Sequence, residues 1–92
     1  MLRAKSMIKV LFFAQLREQL NCSQLDFPVT TSRNTPFTVA DLKTQLASKG
    51  DHWQPVFSEQ KILSAVNQIM CNDEAALVSG DEVAFFPPVT GG

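Results

Sequence analysis

Apolar residues recur along this chain with two different periods, close to two in some stretches and between three and four in others. The first stretch with a clear period is Met7 to Ala14, which is β-branched and aromatic in the manner of a strand. Alternation places Ile8, Val10 and Phe12 on one face and Lys9, Leu11 and Phe13 on the other. Lysine is rarely buried, so the Lys9 face is read as the outer one. Leu11 and Phe13 then point outward. Either the strand is central with both faces covered, or its outer face meets a partner. Gln15 to Asn21 carries Leu16 and Leu20 four apart, which suits one or two helical turns closing at Asn21. Gln24 to Val29 alternates again, with Leu25, Phe27 and Val29 inward. Pro28 falls in the outward set and predicts an edge strand.

Thr30 to Pro36 reads as a polar loop. The best helix signal follows it. Thr38 is a candidate N-cap with Asp41 three residues on, and Phe37 and Leu42 hold the positions of a hydrophobic staple. Val39, Leu42, Leu46 and Ala47 form one stripe, while Lys49 in the last turn and Gly50 beyond it predict the stop. Asp51 to Gln60 reads as irregular, because Pro55 interrupts it, with Trp53, Val56 and Phe57 as a satellite cluster. Ile62 to Met70 reads as one imperfect strand, Asn72 to Glu74 as a turn, and Leu77-Val78 as an apolar link. Ser79-Gly80-Asp81 is a turn signal before the last strand, Glu82 to Phe86. Val83 and Phe85 share one face of that strand, and Ala84 and Phe86 the other. The first and last strands are the two that are apolar on both faces, so they are expected side by side in the middle. Phe86, Phe13, Leu11 and Met70 are then expected to make an outer apolar patch.

Composition narrows the function classes. Ninety-two residues make one domain with a modest core. A formal net charge of −1 lacks the basic excess of a nucleic-acid binder, and no apolar run is long enough to span a bilayer. The basic Met1 to Ser6 carries no periodic pattern and is read as a loose extension, and with no long apolar h-region and cleavage site following it a signal peptide is not expected. Cys22 and Cys71, with His52 as the single histidine, lack metal-ligand spacing and are too few for a disulfide scaffold. No metal site and no self-contained active site are expected, and the setting is expected to be cytoplasmic.

What remains is the ending. After Phe86 come Pro87, Pro88, Val89, Thr90, Gly91 and Gly92, so half of the chain's four glycines stand last. A terminal Gly-Gly arises by chance in roughly one chain in 200. Such a dipeptide packs poorly but threads well into a narrow site. Met7-Ile-Lys-Val-Leu-Phe-Phe-Ala-Gln15, Ala65-Val-Asn-Gln68 and Gly80-Asp-Glu-Val-Ala-Phe-Phe-Pro-Pro-Val-Thr-Gly-Gly92 together resemble the small subunits of molybdopterin synthase, the MoaD family. The resemblance covers residues 7–92 in outline and is weakest between Cys22 and Gln60.

The resemblance implies an α+β, ubiquitin-like β-grasp. That fold has a mixed sheet of about four to five strands, one main helix on one face, and a protruding Gly-Gly tail. It divides the chain into an extension (1–6), a β-grasp domain (7–86) and a tail (87–92). It also implies a sulfur carrier. The Gly92 carboxylate is adenylated by an E1-like enzyme that consumes ATP and magnesium, then converted to a thiocarboxylate by a sulfur donor system. Gly91, Thr90, Val89, Pro88 and Pro87 thread into the large synthase subunit, in a heterotetramer of two small and two large subunits, where sulfur passes to cyclic pyranopterin monophosphate. Phe86 and, by parity, Phe13 match positions at that subunit interface, and Met70 does so less strongly. Leu11 joins them there as a member of the outer apolar patch, and no cofactor is bound stably. Three alternatives remain open on sequence: a ubiquitin-like tag, a carrier for thiamine or tRNA thiolation, and a pure interaction module.

Overall fold

The computed structural model describes residues 7–29 and 36–88. The extension before Met7, most of the Thr30–Pro36 loop, and Val89, Thr90, Gly91 and Gly92 lie outside the described residues. The elements in chain order are β1 (Met7–Phe12), α1 (Gln15–Leu20), β2 (Gln24–Pro28), β3 (Phe37–Thr38), α2 (Val39–Ala47), α3 (Trp53–Ser58), β4 (Leu63–Val66), β5 (Ile69–Cys71), β6 (Ala76–Leu77) and β7 (Glu82–Phe86). Five strands form one mixed sheet in the order β2-β1-β7-β4-β5, and β3 pairs with β6 in a small second sheet. The first and last strands lie side by side and parallel at the centre, and the Pro28 strand is an edge. This is the β-grasp architecture.

The helices cover one face of the large sheet. Val10, Val83 and Phe85 point from β1 and β7 into a core closed by Val39, Leu42 and Leu46 of α2, all with no measurable exposure. Phe12 stacks on Phe85 at 6.2 Å between ring centroids and meets Trp53 edge-on at 5.5 Å. Phe57 meets Phe85 edge-on at 5.2 Å. These aromatic contacts each add a few tenths to about 1.5 kcal/mol beyond their buried area. The entry to α2 forms as its sequence predicts: the Thr38 hydroxyl accepts from the Asp41 amide, and the Asp41 carboxylate accepts from the Thr38 amide. Phe37 and Leu42, the staple pair, are both buried.

Several expectations are corrected. Asp51–Gln60 is not irregular, because Trp53–Ser58 is helical. Pro55 falls in the first turn, where a missing N–H leaves no helical bond unmade. Trp53, Val56 and Phe57 belong to the main core through Phe12 and Phe85, not to a satellite cluster. Ile62–Met70 is not one strand but the hairpin β4–β5. It turns at Asn67 and Gln68, whose φ values of 51° and 70° are those of a type I′ turn. Leu77, read as a link, is a buried strand residue paired with Phe37. β1 ends at Phe12 rather than Ala14, whose φ of 56° breaks the strand. α2 closes at Ala47 with Ser48 as cap, so Lys49 lies past its last turn. Its nine residues make α2 the longest helix among the described residues, in keeping with the one main helix expected on one face of the sheet.

Candidate functional site

The site is built on β7. Its inward residues, Val83 and Phe85, are locked into the core, which leaves Glu82, Ala84 and Phe86 on the opposite face. Phe86 pairs with Leu63, and the Phe13 amide donates to the Phe85 carbonyl at 3.1 Å. Pro87 and Pro88 follow at once, and having no N–H they end the ladder there. The start of β7 is fixed just as firmly. The Asn67 side chain donates to the Asp81 carboxylate at 3.0 Å and accepts from the Glu82 amide at 3.0 Å, while its backbone amide donates to the Glu82 carbonyl at 2.7 Å. The other Asp81 oxygen accepts from the Val78 amide at 2.9 Å. A strand held at both ends cannot slip by one residue, and such a slip would turn Phe86 inward.

The register divides the outer face into two halves. Around the start of β7, Lys9 stands between Asp26 of β2 and Glu82 of β7. Toward the end of β7, Leu11, Ala84, Ala65 and Met70 form one cross-strand row, with Leu63 and Phe86 paired beside it. Phe13 continues the parity of Lys9 and Leu11 and is 45% exposed. Leu11, Leu63 and Phe86 are half-buried. Phe86, Phe13, Leu11 and Met70 therefore share one face. Two members of that face, Leu63 and Ala65, escape sequence reasoning, because their direction is settled only by the pairing of β4 with β7. Of the tail, Pro87 and Pro88 are described and half-buried, whereas Val89, Thr90, Gly91 and Gly92 lie outside the described residues.

Beside Leu63 opens a cleft of about 530 Å³, lined among others by Lys43, Lys61, Ser64, Cys71 and Asp73. Lys43 and Asp73 are ion-paired across it at 2.8 Å. Burial pushes the Cys71 thiol up, the Asp73 carboxylate adds to that push, and Lys43 opposes it. Cys71 is thus held as a neutral thiol, and it donates weakly to the Ser64 carbonyl at 3.7 Å. A thiol kept protonated is a poor nucleophile. Cys22 lies beside β2, at the opposite edge of the sheet from Cys71 on β5, so the two cannot join within one chain. Among the described residues no helix is long and apolar enough to cross a membrane.

Together these features define a small β-grasp whose last central strand carries an apolar face and runs on into a proline-led, glycine-ended tail. The chain belongs to the ThiS family, whose model matches residues 10–92. It is 44% identical over 90 residues to the molybdopterin synthase sulfur carrier subunit of Escherichia coli, covering 94% of this chain and all of that protein. The Haemophilus influenzae subunit of the same name is 41% identical over 87 residues, covering 94% of this chain and all of the relative. The fold is also similar to a chain in the solved complex of subunits 1 and 2 of molybdopterin-converting factor from Helicobacter pylori. That similarity has a TM-score of 0.63 at 22% identity, covering 94% of this chain and 99% of that one.

Proposed function

We propose that this protein is the sulfur-carrying small subunit of a molybdopterin synthase. The observation that carries the reading is the position of β7: this central strand supplies Phe86 to an apolar face, and in sequence it is followed directly by Pro87-Pro88 and the terminal Gly91-Gly92. The 44% identity to a named sulfur carrier subunit supports it. The chemistry assigned to Gly92 follows from the weakness of a carboxylate as an acyl donor. An E1-like enzyme, using ATP and magnesium, joins the carboxylate to AMP with loss of pyrophosphate. Sulfur from a donor system then attacks the acyl carbon, AMP leaves with the electron pair, and a thiocarboxylate remains.

The thiocarboxylate sulfur is a soft nucleophile. With the tail threaded into the large subunit, tethering gives it a high effective concentration at cyclic pyranopterin monophosphate. Attack by the sulfur joins Gly92 to the substrate as a thioester. Water then cleaves the acyl–sulfur bond, which leaves sulfur on the substrate and restores the Gly92 carboxylate. Each of the two dithiolene sulfurs comes from one such delivery, in an assembly of two small and two large subunits. Gly91 and Gly92 leave the carbonyl unhindered, and Pro87 and Pro88 start the tail in an extended direction, which lowers the entropy lost on threading. Phe86, Phe13, Leu11 and Met70 anchor the large subunit, and the whole sequence of steps is assigned to the cytoplasm.

Mass spectrometry of the protein from its own host tests this. The expected finding is a species heavier by the replacement of one oxygen with sulfur at Gly92. Isopeptide adducts to unrelated proteins, with no such species, would overturn the reading in favour of a protein tag.

A further inference from the structure

The edge strand β5 carries two consecutive exposed apolar residues that point to opposite sides of the sheet. Met70, 57% exposed, shares the outer face with Ala65. Ile69, 71% exposed, pairs with Val66 on the other face. A partner lying flat on the outer face covers Met70 and leaves Ile69 in water. Only a partner set against the edge covers both.

The backbone points the same way. In a hairpin with a two-residue type I′ turn, the residues flanking the turn exchange both hydrogen bonds, here Val66 and Ile69. Bonding alternates along the ladder, so Met70 turns its N–H and C=O away from β4. Among the described residues nothing meets them. The other edge of the sheet, β2, is guarded in the usual way: Asp26 and Pro28 make poor pairing partners there. Ile69-Met70-Cys71 has neither a charge nor a proline.

We infer that the β5 edge accepts an extended segment of the large subunit by strand addition, wrapping the contact from the outer apolar face around onto Ile69. This rests on the functional reading above and deepens it. The occupant is that subunit because the edge is continuous with the apolar face: Met70, Ala65 and Ala84 form one row leading to β7. The exposed backbone groups of Met70 supply one pair of hydrogen bonds, and the side chains on either side supply specificity.

The test uses the full chain, isotope-labelled, with the unlabelled large subunit of the same organism. Amide exchange at Met70 is expected to be fast in the free chain and at least about 100-fold slower in the complex. Ile69→Lys, a change at an exposed position, is expected to weaken the complex at least tenfold. A complex that forms normally while the Met70 amide stays unprotected, or while Ile69→Lys binds as tightly as the parent, overturns the edge assignment and leaves the functional reading standing. Protection of Met70 that appears in the free chain as its concentration rises would instead assign the edge to a second copy. Failure of any complex to form would overturn the functional reading, and the edge assignment with it.

Discussion

Phe85 and Phe86 are neighbours in sequence with opposite duties. Phe85 has no exposure and touches Phe12 and Phe57, so Phe85→Ala should cost about 3–5 kcal/mol, measurable by chemical denaturation. Phe86 is half-buried on the outer face, so Phe86→Asp should leave the unfolding midpoint within a few degrees. It should instead weaken binding to the large subunit by about 2–4 kcal/mol in calorimetry. Unchanged affinity would remove Phe86 from the interface. The directions of Phe13 and Leu11 are legible in the sequence because Lys9 marks the solvent side of β1, whereas that of Phe86 follows only once the helix is placed on the Val83/Phe85 face. Met70 was harder. A continuous strand from Ile62 would align it with Ser64 and Val66, and it is the turn at Asn67-Gln68 that returns it to the face of Ala65.

At the level of elements, legibility follows the number of independent signals. α2 has a capping box, a staple and an apolar stripe that agree, and it forms within a residue or two of the expected limits. α3 has only six residues and a proline in its first turn, too few for a period to outweigh the proline. β3 and β6 are two residues each and exist only because they pair with each other. The β4–β5 hairpin is hidden by its turn: Asn67-Gln68 adopts the backbone for which Asn-Gly is preferred. Glutamine at a φ of 70° is strained, so Gln68→Gly should raise stability by about 0.5–1 kcal/mol. A rise in the denaturation midpoint without a change in slope would record it. A loss of stability would mean that the Gln68 side chain makes contacts that outweigh the strain.

For the molecule as a whole, handle and chemistry are separable. Gly92→Val should leave the circular dichroism and thermal midpoint of the chain unchanged while slowing its adenylation by about 100-fold, as a small misplacement of a reacting group does. Adenylation at the parent rate would show that the terminal position tolerates bulk. The parallel pairing of β1 with β7 has a mechanical consequence. Tension applied to the chain beyond Phe86 pulls β7 along its own axis between β1 and β4. In that geometry the ladder bonds on both sides share the load together and fail only together, whereas a terminal hairpin peeled from an edge would give way one bond at a time. The fold can thus transmit a pull applied beyond Phe86 without unravelling, a property that the proposed threading of the tail would call on at every delivery.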